Sequence, residues 1–286
     1  MNGAVVINGY LKGSSFEEPA DMIIAAAERR NIGMRRFYNS ELSFPIGDTE
    51  LMAKTLHDVD FVVFWDKDVN LAKNLEVCDM PVFNCSECIR LCDDKSLTHL
   101  VLADWGVPSI KTLASPMTFG NRYDDWIDKV MVTFQYPFVA KDCFGSFGQQ
   151  VRIVRDRADL EKELSSPIPK IFQEYIECNG EDQRLEVVGN KVVAAVKRKA
   201  PEGDFRSNVS NGGTMSKYEP TEQEKLLAID AANAVEADFC GVDIIRTEKG
   251  PVVCEVNSNA HIKNLYNATG IDVSDHILAH IENLLK

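Results

Sequence analysis

The sequence is short of positive charge. Its 286 residues hold 31 lysines and arginines against 44 aspartates and glutamates, a net charge of −13. Such a surface repels DNA, RNA and anionic membranes, which excludes them as partners of the bulk protein and makes any local cluster of cations worth explaining. Long apolar runs are also missing. Stretches such as Phe61-Val62-Val63-Phe64-Trp65 fall far below the ~18 residues of a transmembrane helix. Met1-Asn2-Gly3-Ala4-Val5-Val6-Ile7 has no basic region and reads as a first strand rather than a secretory leader, which predicts a cytoplasmic protein. There is no internal repeat, low-complexity tract or Gly/Ser linker, no GxxxxGK[ST] loop, and no convincing Ser/His/Asp set. What is present is ordinary for a globular chain, with 45% hydrophobic and 26% charged residues, and this excludes a mostly disordered one. The length suggests about two domains at roughly 150 residues each. A chain of this size needs neither disulfides nor metal to fold.

The eight cysteines are therefore read as reduced thiols. Cys85, Cys88 and Cys92, with Cys78 upstream, invite a zinc or iron–sulfur reading. No second CxxC pair or histidine follows at a familiar spacing. The simpler reading starts a short helix at Ser86 and puts Cys88 and Cys92 on its inner face at i, i+4.

The first ninety residues alternate strands (Ala4–Asn8, Met34–Tyr38, Asp60–Trp65, Pro81–Asn84) with helices (Glu17–Arg30, Asp48–His57, Val69–Val77). This pattern predicts a parallel α/β sheet. Ser15 and Glu18 have the spacing of a capping box for the first helix. A helix over Asp94–Trp105, a strand near Ser109–Leu113, a helix over Asp124–Thr133 and strands Phe138–Lys141 and Val151–Val154 follow. Then come the helix Arg157–Leu164 and the strand Lys170–Tyr175. Beyond these, Asp182–Val188 and Lys191–Lys199 flank Gly189-Asn190, a hairpin signal. The helix Thr221–Ala237 opens on a Thr221/Glu224 capping box. Gly241–Thr247 and Pro251–Asn257 form a second hairpin around a three-residue turn, and Ser274–Leu285 closes the chain. The later half thus reads as α+β with antiparallel strands.

Four constellations carry chemistry. In Lys141-Asp142-Cys143-Phe144-Gly145-Ser146-Phe147-Gly148, a strand ends in lysine and a glycine loop follows, whose amides can approach phosphate oxygens. A plain glycine hairpin is the alternative. Asp93-Asp94-Lys95 opens a helix. Lys95 there opposes the macrodipole, and either it bends to solvent or a phosphate lies between it and Lys141. Arg184, Lys197, Arg198 and Arg206 cluster on a hairpin and the loop after it, as a solvated face or as a polyanion site. Finally, counting back from the turn puts Asp243 opposite Glu255, with Asn257 on the same face. Facing carboxylates repel. A hard cation with oxygen ligands, magnesium above all, relieves them, and Lys197 or Arg198 is the other candidate for that task.

These stretches, in this order, resemble the ATP-grasp superfamily and within it the RimK-type ribosomal-protein glutamate ligases. Further matching stretches are Gln173-Glu174-Tyr175-Ile176, Gly180-Glu181-Asp182-Gln183-Arg184, Gly203-Asp204-Phe205-Arg206-Ser207-Asn208 and Ala268-Thr269-Gly270-Ile271-Asp272-Val273. The resemblance covers most of 90–286 and is looser before it. It implies an ATP-grasp fold, α/β and α+β, with an N-terminal parallel-sheet pre-ATP-grasp domain over 1–92. A central lid subdomain would follow over 93–170, and a C-terminal subdomain with the metal site over 171–286. By resemblance, Lys95 and Lys141 hold ATP phosphates under a lid formed by Gly145, Ser146, Phe147 and Gly148. Gln173, Glu174, Tyr175 and Ile176 form the adenine hinge, Glu181 holds ribose, and Arg184 and Lys197 join the nucleotide side. Asp243, Glu255 and Asn257 bind magnesium, with manganese as a substitute. Arg198, Arg206 and Asn208 serve the transferred phosphoryl and the acyl group. Where family members carry a Ser-Pro-Gly-type turn, this chain has Ser258-Asn259-Ala260-His261-Ile262-Lys263, which leaves its acceptor open.

The implied activity is ATP-dependent ligation of a carboxylate to an amine through an acylphosphate. It would join an amino acid such as glutamate to a carboxylate-bearing peptide, protein or metabolite, with no nucleic acid or membrane involved and a homo-oligomer left open. A biosynthetic ligase of the same fold and a nucleotide-binding regulator without turnover are the alternatives.

Overall fold

The computed structural model describes residues 1–11, 13–119, 126–145, 148, 150–201 and 212–286. Its first part runs β1 (Asn2–Ile7), α1 (Ser14–Arg29), β2 (Gly33–Tyr38), α2 (Thr49–Thr55), β3 (Phe61–Trp65), α3 (Val69–Val77) and β4 (Val82–Phe83). These strands pair in parallel in the order β2-β1-β3-β4. Val5, Ile7, Phe61 and Val63 face a cluster containing Ile23 and Ala27 of α1. Ala4, Val6, Val62 and Phe64 face Met52 of α2 and Leu71 and Leu75 of α3. Burial on both faces is why these strands read as continuous apolar runs. The strand order reverses between β1 and β3, so their carboxyl ends flank a crevice, the usual ligand position in open parallel sheets. α1 starts at Ser14 on Gly13, with no side-chain cap. The expected Ser15 capping box is thus inside the first turn, too late to serve as the cap.

Two helices follow, α4 (Ser86–Asp93) and α5 (Lys95–Asp104). Cys85 caps α4 by accepting from the Cys88 amide at 3.4 Å. Cys88 and Cys92 lie in an apolar cluster with Leu227 and Ala231, the inner-face placement expected for them.

The central sheet is antiparallel, with order β5-β8-β6-β7: β5 (Thr112–Ala114), β6 (Phe138–Asp142), β7 (Val151–Val154) and β8 (Lys170–Glu174), covered by α6 (Ile127–Thr133) and α7 (Arg157–Leu164). It runs on to Glu174, past the boundary drawn at 170. Ser109, expected in the first of these strands, instead bridges to Val253.

The last sheet has the order β11-β10-β9-β12-β13. Its members are β9 (Glu181–Val188), β10 (Lys191–Lys199), β11 (Thr214–Lys217), β12 (Phe239–Thr247) and β13 (Gly250–Asn257). α8 (Glu222–Ala234), capped by Thr221 and Glu224 as the sequence predicts, covers one face. α9 (Ile262–Thr269) and α10 (Val273–Leu284) lie between the other face and α1. β11 and α9 are additions to the expected pattern. β11 is a short edge strand whose one apolar residue is Met215, and α9 occupies a stretch to which the local pattern assigns no element.

Asn84 joins the first part to this sheet. It is fully buried. Its amide donates to the carbonyls of Phe239 (2.8 Å) and Ser258 (3.0 Å) and accepts from the amides of Asp238 (2.9 Å) and Phe239 (3.2 Å). Such a side chain repays its burial because every polar atom is matched.

Candidate active site

A cavity of about 780 Å³ opens between the central and last sheets and reaches the carboxyl ends of β1 and β3. Among the residues predicted for the site, Lys95, Lys141, Gly145, Gly148, Gln173, Glu174, Tyr175, Ile176, Glu181, Arg184, Arg198, Asp243, Glu255 and Asn257 all line it. Ser146, Phe147, Arg206 and Asn208 lie outside the described residues. Lys197 is not among the lining residues. It alternates with Arg198 along β10, and a strand turns successive side chains to opposite faces. Its ammonium lies 3.3 Å from Glu181 in a half-buried pair.

The carboxylate hairpin has the expected pairing for an unexpected reason. Gly250 belongs to β13 and pairs with Thr247, so the turn is one residue tighter than predicted. The register then shifts at Cys254 and restores Asp243 opposite Glu255. The extra residue is a β-bulge, a common way of re-aiming side chains at a site. Across the sheet, Arg184, Asp243 and Glu255 form one rung, and Glu186, Gly241 and Asn257 form the next. Glycine is required at 241. A Cβ there would lie 2.7 Å from that of Ala260 and 3.0 Å from Glu186 Oε1.

The arginines hold Asp243 closely. Arg184 makes a bidentate pair with it (2.7 and 2.8 Å), and Arg198 reaches it at 2.8 Å while pairing with Asp182 at 2.6 and 2.5 Å. Burial pushes the Asp243 carboxyl up, but Arg184 and Arg198 outweigh it and hold the group at about 2. Arg198 is thus the candidate that relieves the carboxylate pair, and Lys197 is not. Glu255 keeps more freedom. Its side chain is 30% exposed and its one ion pair among the described residues is to Lys95, at 3.4 Å. Burial opposes its charge, yet Lys95 and Lys141 together draw its carboxyl below the usual range. The Asn257 amide nitrogen is buried without a partner.

Lys95 does not bend to solvent. It is 9% exposed and donates to the Gly145 carbonyl at 2.9 Å. The backbone there takes φ of +145° at Gly145 and +69° at Gly148, values that favour glycine. Lys141 is 8% exposed, and among the described residues its ammonium hydrogen-bonds to the Cys254 thiol, at 3.6 Å. Among the described residues it forms no ion pair. Glu255 feels its charge, but a buried ammonium without a direct ion pair is costly, so this wall is suited to receive an anion. Its field is visible at His99. Burial, then the nearby Lys141, lowers that imidazole to about 4, which keeps it neutral beside Gln173 at 2.8 Å.

The oxygen set of Glu255, Asn257 and Asp243 suits a hard cation that completes its shell with water and phosphate oxygens. The cavity volume lies within the range of small-molecule sites, roughly 300–1,000 Å³. The residues therefore fit a magnesium–nucleotide pair. Sequence reasoning missed Glu186, which lies beside the site without lining the cavity, two residues from Arg184 on the same strand face. It is 3% exposed, with one oxygen unpartnered. Burial raises its carboxyl to about 7 against the pull of Arg184. The period-two pattern of β9 was the available signal. It also missed Asn8, Trp65, Asp66 and Lys67 of the N-terminal sheet and Asn259, His261 and Asn264 opposite them, which no local motif marks.

The RimK-like ATP-grasp domain family matches residues 92–281. An uncharacterised MG012 homolog from Mycoplasma pneumoniae is 31% identical over 264 residues, 88% of this chain and 90% of that protein. A probable alpha-L-glutamate ligase from Stenotrophomonas maltophilia is 36% identical over 209 residues, 71% of this chain and 70% of that protein. Among solved structures, a RimK domain ATP-grasp protein from Sphaerobacter thermophilus has a TM-score of 0.73 at 18% identity, covering 99% of this chain and 100% of that one. D-cycloserine synthetase DcsG has a TM-score of 0.76 at 16% identity, with 100% of both chains covered.

Proposed function

Because the chain belongs to the RimK-like family of ATP-grasp carboxylate–amine ligases, we propose that it joins an amino acid such as glutamate to a carboxylate-bearing peptide, protein or metabolite, with ATP and magnesium. The observation that carries this reading is the convergence of Lys95, Lys141 and the Asp243–Glu255–Asn257 set on one cavity. Lys95 and Lys141 hold phosphate oxygens, and Lys141 gains the anion its burial demands. Gly145 and Gly148 bring backbone to the phosphates, Gln173–Ile176 border the base, and Glu181 borders the ribose. Asp243, Glu255 and Asn257 would hold magnesium, which would supply charge neutralisation at the transferred phosphoryl. Arg184 and Arg198, fixed by Asp243 and Asp182, add positive charge that needs no reorganisation during reaction. Three working parts follow: 1–92 flanks the amino-acid end, 93–174 carries the glycine loop, and 175–286 carries the metal hairpin. The free cysteines fit a reducing cytoplasm.

A carboxylate is a poor electrophile because oxide is a hopeless leaving group. The γ-phosphoryl group of ATP passes to a carboxylate oxygen and ADP leaves. The amine then attacks the acyl carbon, phosphate departs with that oxygen, and one proton is lost from nitrogen. Positioning and charge neutralisation suffice for both steps, without a covalent protein nucleophile. The test is oxygen transfer. With an oxygen-18-labelled carboxylate substrate, one label is expected in the released phosphate. Unlabelled phosphate, or AMP and pyrophosphate as products, would overturn the mechanism.

A further inference from the structure

The cavity carries a second unmet charge, of opposite sign and at the carboxyl end of β3. Of its lining residues, four carboxylates are largely buried: Asp66, Asp142, Asp182 and Asp243, at 7%, 7%, 8% and 3% exposure. Three of them are matched by cations. Asp142 has Lys170 and Arg152, Asp182 has Arg198, and Asp243 has Arg184 and Arg198. Asp66 makes no ion pair among the described residues. Among the described residues its oxygens accept from neutral donors, the Asn8 amide at 3.1 and 3.3 Å and the Lys67 backbone N–H at 2.7 Å, with the Asn39 side chain also acting on the carboxylate.

Its position is that of a ligand group. Asp66 follows β3 and Asn8 follows β1, so the pair sits at the crevice where the strand order of the parallel sheet reverses. The Asn259 side chain donates to the Asp66 carbonyl at 2.9 Å. This fastens Asp66 to the segment directly after Asn257, where the sequence departs from the Ser-Pro-Gly-type turn. Asn84 fixes the same segment through the Ser258 carbonyl. The carboxylate is thus held on a rigid support beside the acceptor loop. Burial raises its carboxyl above the ordinary range, partly offset by the Lys67 and Asn8 hydrogen bonds, as expected of a charge whose partner has yet to arrive.

We propose that Asp66 binds the ammonium group of the amino substrate and so selects an amino acid over its des-amino analogue. This rests on the ligase reading above and deepens it by giving the amine a place in the cavity. An ammonium against a buried carboxylate makes a charge-assisted hydrogen bond, and a des-amino analogue, which lacks that cation and keeps its carboxylate charge, would leave Asp66 unmatched. Discrimination from such an unpaired buried group is large.

The test is thermal stabilisation of the full chain by a panel of L-amino acids. L-Glutamate is paired with glutarate and each other amino acid with its own des-amino acid, with and without magnesium and the non-hydrolysable analogue AMPPNP. An amino acid is expected to stabilise the protein while its des-amino partner does not. Asp66→Asn should weaken that binding about ten- to a hundred-fold and leave the AMPPNP shift unchanged. Asp66→Glu, which keeps the charge, should recover part of the loss. Equal binding of the des-amino acid to the unsubstituted protein would overturn the proposal without reference to any variant. So would undiminished binding by a folded Asp66→Asn protein, or AMPPNP binding with no amino acid bound. Absence of an AMPPNP shift in the unsubstituted protein would instead count against the nucleotide reading. The amino-acid arm without AMPPNP would then still decide Asp66.

Discussion

Two buried lysines of the central sheet meet opposite fates. Lys170, at the start of β8, is 2% exposed and lies 2.7 Å from Asp142 and 3.7 Å from Glu163. Arg152 closes the group, pairing with Asp142 at 2.5 Å and Glu163 at 2.7 Å. Two cations meet two carboxylates, and the network is complete. Lys141 is the neighbour of Asp142 on β6 and both border the cavity, yet among the described residues the Lys141 ammonium forms no ion pair and hydrogen-bonds to the Cys254 thiol. One strand therefore sends a carboxylate into a closed cluster and, one residue away, an ammonium into an open one. The chain can match a buried charge fully when structure alone is at stake. The unmatched charges at Lys141 and Asp66 thus point to ligands rather than to imperfect packing.

The comparison breaks most visibly if Lys141 proves structural. Lys141→Met is expected to lower kcat/KM for ATP by about a hundredfold or more, the scale of one lost electrostatic contact in the transition state. Stability should stay within about 1 kcal/mol or rise, since a buried unpaired charge is removed. ADP release and urea unfolding on the same preparation measure both. A protein that unfolds easily while its residual folded fraction turns over normally would place Lys141 with Lys170.

The converse substitution sharpens it. Lys170→Met leaves Asp142 and Glu163 short of a cation in a buried setting, which costs about 3–5 kcal/mol. The urea midpoint should fall accordingly, and the KM for ATP of the remaining folded protein should change less than about threefold. A large KM change with normal stability would reverse the assignment.

The smallest effect concerns pH. The His99 imidazole is held at about 4 in the folded protein, by burial first and by Lys141 second, against about 6.5 in an unfolded chain. Between those values the unfolded state binds more protons, so stability rises with pH. The contribution is fully present above about 6.5 and is lost as pH falls towards 4. Its size is at most about 3 kcal/mol. Urea unfolding from pH 7 down to pH 4.5 should show this loss, and His99→Gln should flatten that part of the profile. Because Lys141 is one of the causes, Lys141→Met should shrink the loss. An identical profile in both variants would detach His99 from the phosphate-facing wall.

Much of this was legible without coordinates. The parallel sheet followed from apolar runs alternating with amphipathic stretches, and α3, β7 and α7 fall where local pattern put them. The metal hairpin was legible by counting, although the count relied on a turn one residue too long and was rescued by the bulge at Cys254. Lys197 is absent from the cavity lining for a local reason. Period two turns it away from the face that Arg198 shares with the cavity, and cation clustering in sequence ignores that alternation. Ser15 failed because a capping box names a candidate but not the residue at which the helix begins.

By itself the sequence determined the chemistry on offer: two lysines before helix and glycine loop, a carboxylate hairpin, arginines on the preceding hairpin, and thiols with no partner spacing. These depend on residue type and short-range period, which one dimension contains. The tertiary structure alone decided which charges are matched. Lys141 and Lys170 look alike in sequence, and Asp66 looks like any aspartate after a strand. Only the meeting of β6 with β8, and of β3 with the segment after β13, determines whether a buried charge finds its counter-ion within the chain or must await one from solution.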